Sequence, residues 1–290
     1  MNPCMKWILL IALVCATVSA ASTAGACGDE KLPNNFPNNA MEQAVEVLSH
    51  LPSGKVLLSQ AKKFWNLHED QELLKVLKPS SVSRTDAVLT RKFNSENGSE
   101  VREREVVVYI RNHQRLRDIV LDLSHELIHA TSRPIWDPYD PKLTAGKYVW
   151  AAIEGQGGEV DAVMSECRIE RELEKYFGVG GDRCHVYQSL KSKRLRERVT
   201  RDFYRVGSWR EEVRAKLGSE SVLFPLLTAD SPKLYSSTGH APYPVALYRE
   251  FEVITQIACE NSSKRVSSRS PASFHGEIAD FLQSRCKSFH

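Results

Sequence analysis

The sequence predicts an α+β fold that is mainly helical, with a small β-sheet. Three observations predict it. Apolar residues recur at helical spacing over most of the chain, two β-rich runs flank an Asn-Gly turn signal, and the second run lies immediately upstream of a helical segment carrying His125-Glu126-Leu127-Ile128-His129.

A length of 290 residues, 42% hydrophobic and 26% charged, suits a globular chain with a sizeable core. The formal net charge of +3 is too small to argue for nucleic acid or a membrane surface as partner. Lys6 is followed by the apolar run Trp7 to Val18 and then by small residues ending in Val18-Ser19-Ala20 or Ala24-Gly25-Ala26. That order is the order of a secretory signal peptide. Residues 1–26 are therefore expected to be a signal peptide, 27–39 a linker, and 40–290 one domain with its core at about 85–185 and a helical part at 186–290. The run is too short to span a bilayer comfortably and no later run reaches 18 apolar residues, so no transmembrane helix is expected. The expected location is the periplasm, the cell envelope or the extracellular space.

Ala24-Gly25-Ala26-Cys27 resembles a bacterial lipobox without its usual Leu three residues before the Cys. Cys27 is thus a candidate lipid anchor, with ordinary signal-peptide removal as the alternative. Beyond Cys27 the mature chain keeps Cys167, Cys184, Cys259 and Cys286. They form two sequence-local pairs, Cys167 with Cys184 and Cys259 with Cys286, which suit disulfides in an oxidising compartment, free buried thiols being the plainer alternative. No CxxC or Cys/His cluster offers a structural zinc site.

In chain order, Asn39 can cap a helix from Ala40 to about Leu51, stopped by Pro52 and Gly54. A second helix is expected over Lys55 to Leu77, ended by Pro79. Ala87 to Phe93 and Val101 to Ile110 read as a hairpin around Asn97-Gly98. The second of these strands either lies beside a cleft, where it would hold an extended peptide, or is central and fully paired. The motif helix should run from near Arg115 to about Thr131, with Pro134 stopping it. Glu159 to Phe177 forms a further helix, with Gly178 beyond its end. Lys191 to Leu217 is a basic helical stretch best explained as a solvated face; Val245 to Ala258 is a packed helix, and a last helix falls near Gly276 to Ser284.

His125 and His129 stand at i and i+4, so a helix projects both rings from one face, where they can share a metal ion. The bland reading is a helix with two surface His. The segment resembles the zincin metallopeptidases, in which the two His of this HExxH motif bind zinc and the intervening Glu is the general base. The resemblance implies zinc ligands at His125 and His129, a base at Glu126, and a zincin-like fold. Ser132 and Ile135 stand where the metzincin branch has Gly and a third His, so the chain resembles the gluzincin branch, whose third ligand is a carboxylate. Glu159 is the expected third ligand, with Glu154 and Glu166 as alternatives. The thermolysin-like pattern has an Asp four residues beyond the ligand; Val163 stands there. Asp122 is a candidate to orient an imidazole, or else an exposed helix carboxylate. Tyr235, His240 and Tyr243 are candidate oxyanion donors.

The expected function is that of an exported zinc metallopeptidase, a hydrolase and more specifically an endopeptidase, acting on a protein or peptide. The alternative is a catalytically inactive zincin-fold binding or assembly protein of the cell envelope. An exported helical protein with an accidental motif is the third possibility.

Overall fold

The structure is a computed structural model and describes residues 39–93, 100–112, 115–134, 136–178, 180–187, 190–236, 240–267 and 281–286. The expected signal peptide, most of the linker, Cys27 and the Asn97-Gly98 turn lie outside these residues, as does the expected last helix before 281. The described residues belong to a unit spanning Leu32–His290.

Helix α1 (Ala40–His50) buries Ala44, Val45 and Leu48 on one face. Asn39 precedes it but makes no side-chain cap; its carbonyl takes the Gln43 N–H instead. Pro52 does not merely stop α1. It opens α2 (Pro52–Trp65), where a missing N–H costs nothing. The amide and hydroxyl of Ser53 donate to the Glu172 carboxylate, 119 residues away, at 2.9 and 2.5 Å. That helix ends twelve residues before the expected Leu77, because Asn66 turns left-handed at φ 55°.

A 3₁₀ turn (Asp70–Lys75) with a Glu69/Glu72 capping box follows, and then β1 (Leu77–Ser80). Pro79 therefore sits in a strand. It is tolerated there because β1 is an edge among the described residues, pairing with β3 in a sheet ordered β1-β3-β2. Strands β2 (Arg84–Phe93) and β3 (Glu100–Arg111) form the expected antiparallel hairpin, with Arg84 opposite Tyr109 and Phe93 opposite Glu100. β3 is the central strand, parallel to β1, and buries Val106, Val108 and Ile110 on one face.

Helix α3 (Leu116–Ser132) carries the motif, and Ile119, Val120, Leu121, Leu123, Leu127 and Ala130 bury it against α1, α2 and β3. Helix α4 (Ala145–Ile153) leads to α5 (Glu159–Phe177), which has the expected limits, closed by Gly178 at φ 70°. The basic stretch is two helices, α6 (Ser192–Phe203) and α7 (Arg210–Leu217). They are parted where Gly207, at φ 60°, gives its N–H to the Asp230 carbonyl. Helix α8 (Tyr243–Ser267) is longer than expected, and 281–285 is helical.

Two large apolar cores result, besides a small cluster around Ala258 and Phe281. The first joins α1, α2, the sheet and α3; the second joins α4, α6, α7 and α8. Helix α5 belongs to both, giving Ile169 and Leu173 to the first and Val160 and Cys167 to the second. It thereby brings Glu159 from the second core to the motif helix of the first. The disulfides Cys167–Cys184 and Cys259–Cys286 are both present. Among the described residues no helix is long and apolar enough to cross a membrane.

Candidate metal centre

One turn apart on α3, the His125 and His129 rings lie 4.8 Å between centroids and nearly perpendicular. Glu159, the first residue of α5, reaches between them: its Oε2 is 3.4 Å from His125 Nε2 and its Oε1 3.3 Å from His129 Nε2. Ligand atoms of the three residues all lie within 4.8 Å of one another. Glu159 Oε2 is buried and has no hydrogen-bond partner. A buried carboxylate oxygen left bare beside two imidazole nitrogens is costly for the protein alone and is the donor set of a metal ion. The three residues can hold one.

Each donor is steadied from behind. His129 Nδ1 donates to the Gly157 carbonyl at 2.8 Å, which leaves Nε2 as the ring's acceptor, with Arg133 Nη2 3.4 Å from it. His125 Nδ1 lies 3.3 Å from Glu166 Oε2, and Glu166 Oε1 accepts from Arg183 Nη1 at 2.9 Å. Glu159 Oε1 accepts from Arg133 Nη2 at 2.8 Å. Gly157 stands at φ 68°, and a Cβ there would fall 2.5 Å from the Arg133 nitrogen. No other residue type fits this turn.

Glu154 and Glu166, the alternatives to Glu159, have other partners. Glu154 accepts from the Tyr204 hydroxyl at 2.7 Å, away from the two rings. Glu166 faces the Nδ1 side of His125, opposite Glu159. Asp122 is not exposed: it is buried and takes Arg183 Nη1 at 2.5 Å and the Ser83 hydroxyl.

Charges follow from these contacts. Burial opposes the ionised forms of Glu159 and His125 alike, but the contacts of Glu159 with His129, His125 and Arg133 hold its carboxyl well below the usual range. The Glu159 and Glu166 carboxylates likewise hold His125 well above the usual imidazole range. His129 is pushed down to about 4 by burial and by Arg133. Burial raises Glu126 to about 7 against the His125 charge and the Thr85 hydrogen bond.

These groups line a cleft of about 370 Å³ between the start of β2, α3, α5 and the start of α8. Thr85 Oγ1 lies 2.8 Å from Glu126 Oε2 and 3.0 Å from its carbonyl, so the sheet holds Glu126. Of the two readings of β3, the central one holds, and the strand at the cleft is β2. The amides of Val108 and Asn112 bond to the β1 side, so the odd-numbered residues Val107 and Tyr109 face Asp86 and Arg84. Alternation then turns the Thr85 and Ala87 main-chain groups to the open side of β2. Tyr243 lines the cleft, its hydroxyl raised well above the usual range by burial and by the Glu159 and Glu126 carboxylates. Neither Tyr235, which is exposed, nor His240 lines it.

Arg133, Gly157, Arg183, Thr85 and the positioning role of Glu166 are not signalled by the sequence pattern. The one local hint was the glycine run Gly155-Gln156-Gly157-Gly158 just before Glu159. Compared with known family descriptions, curated proteins and solved structures, the chain matches none of them.

Proposed function

We propose that this chain is an exported zinc metallopeptidase of the zincin type, cutting within protein or peptide chains. The observation that carries the reading is the convergence of His125, His129 and Glu159 around a bare carboxylate oxygen, with Glu126 beside them in the cleft. Two imidazoles and one carboxylate suit zinc and leave a coordination position open. Bound zinc would supply a Lewis acid that lowers the pKa of water towards neutrality and polarises a carbonyl.

The chain's own residues do the rest. Glu126 accepts the proton of the attacking water and delivers it to the leaving nitrogen, a task suited to a buried carboxyl whose pKa lies near 7. Thr85 aims that carboxylate. The Tyr243 hydroxyl is the donor for the oxygen that gains charge, being the one of the three candidate donors that lines the cleft. The open main-chain groups of Thr85 and Ala87 hold an extended peptide by added strand pairing, which is indifferent to its sequence. Two disulfides support an exported chain.

Metal analysis with turnover of a mixed peptide library tests the reading. Glu126→Gln is expected to keep zinc and to lose about 10²–10⁴-fold in turnover. A chain without metal, or one whose activity survives Glu126→Gln, would overturn it. Zinc without cleavage would leave the inactive binding protein of the envelope.

A further inference from the structure

We infer that the Cys167–Cys184 disulfide is part of the metal site's support: it clamps the Arg183–Glu166 ion pair behind His125, and metal affinity depends on that clamp. The inference rests on reading the site as a metal centre.

The arrangement is set by adjacency in sequence. Glu166 and Cys167 are neighbours on α5, and Arg183 and Cys184 are neighbours on the segment that follows it. The disulfide joins the two segments with Cα atoms 5.4 Å apart across a separation of 17 residues. Both cysteines are buried, and the Cys184 amide donates to Glu170, one turn beyond Glu166, at 2.9 Å. Arg183 is therefore fixed on its C-terminal side by a covalent bond and a buried hydrogen bond.

From that anchor the Arg183 guanidinium reaches Glu166 at 2.9 Å and Asp122 at 2.5 Å, bridging α5 to α3. Without this cation the two carboxylates would face each other with little water to screen them. With it, Glu166 stays directed at His125 Nδ1, and the ring keeps its Nε2 towards Glu159. Gly178, Gly180 and Gly181, which have no Cβ to restrict the backbone, precede Arg183 within five residues. The cross-link does the ordering. Cys259–Cys286 differs, since it lies in a small separate cluster with Ala258 and Phe281.

The test is zinc affinity by competition with a chromophoric chelator, together with the visible spectrum of the cobalt-loaded chain. Arg183→Leu and the pair Cys167→Ser/Cys184→Ser are each expected to weaken binding about 10- to 100-fold and to alter the cobalt bands. Arg183→Lys should recover part of the loss. Cys259→Ser/Cys286→Ser should stay within about two-fold of the unaltered chain. Where the serine pair does not fold, Cys167→Ala/Cys184→Val, which keeps apolar volume, takes its place. Metal bound equally well by the unaltered chain and by the Arg183→Leu and Cys167/Cys184 variants overturns the inference alone. Equal weakening in the Cys259/Cys286 pair overturns it too. An unaltered chain that takes up no metal overturns the inference and the reading of the site together.

Discussion

His125 and His129 rise from the same helix one turn apart, and their supports are built from different material. Behind His125 stands a relay of side chains, Glu166 and then Arg183, with Asp122 on the far side of the guanidinium. Behind His129 stands one main-chain carbonyl, that of Gly157, which also receives Arg133 Nε at 2.9 Å. A relay of side chains weakens by degrees, because each member can be shortened, neutralised or replaced. A carbonyl in a left-handed turn has no such gradation, since its place depends on φ and on the room left for a Cβ. The two walls should therefore fail differently.

The largest effect tests whether both walls serve one ion. Zinc at about a thousand-fold excess over its dissociation constant should stabilise the unaltered fold by about 4 kcal/mol, and chelation should remove that gain. His125→Ala and His129→Ala should each abolish the zinc-dependent rise in Tm, measured by thermal unfolding with and without metal. A rise retained by either variant would mean that the two imidazoles do not share an ion.

Next is the main-chain wall. Gly157→Ala places a Cβ 2.5 Å from the Arg133 nitrogen and 2.6 Å from the Ser132 carbonyl carbon, both backbone, at a φ of 68°. Nothing flexible can give way, so a loss of about 3 kcal/mol is expected, with metal binding lost as well. Denaturant unfolding and zinc content measure both. If Gly157→Ala costs no more than a single substitution in the side-chain relay, the contrast between the walls is wrong.

Legibility in the sequence divides along the same line. The motif helix and α5 could be read because amphipathic spacing and a terminal glycine are local signals; Ile119, Val120, Leu123 and Leu127 of the one and Val160, Cys167 and Leu173 of the other are buried, while Phe177 at the end of α5 is exposed. Glu159 was legible as a candidate ligand because it opens α5, and it lies beside both imidazoles. Gly157 was visible as one of several glycines, but its need for positive φ comes from the close approach of the end of α3, which no local pattern records. Arg133 and Arg183 were two of many basic residues until tertiary contact chose their partners. The prolines misled for a related reason. Pro52 before a helix looks the same as Pro52 after one, and Pro79 ends a helix or sits in an edge strand according to what pairs beside it. With β1 hidden in an expected helix, the sequence could not decide that β3 was central and β2 the edge.

Glu126 lies between the two His yet depends on neither wall, being held by Thr85 of the sheet. Thr85→Val should leave metal content unchanged and lower kcat/KM about ten-fold, equivalent to about 1.4 kcal/mol. The Thr85 hydrogen bond lowers the Glu126 pKa from where burial would set it, so its removal raises that pKa. As the proposed base, Glu126 must be deprotonated to act, so the acid limb of the pH profile should move to higher pH. An unmoved limb would detach Thr85 from the base.

The smallest effect probes a prop behind the main-chain wall. Asp161 Oδ2 accepts the Gly157 amide at 2.9 Å, while its Oδ1 pairs with Arg196 at 2.5 Å on a surface half open to water. Asp161→Asn preserves the shape and an acceptor oxygen but removes the charge that strengthens both bonds. The exposed ion pair contributes little after screening, so nearly all the change should come from the amide bond, about 1 kcal/mol. Because that bond fixes the turn and not the ring itself, zinc affinity should fall only about two- to five-fold, by less than in Arg183→Leu. A larger fall in Asp161→Asn would mean that the carbonyl wall is held by its side-chain prop, and that the two walls are built alike after all.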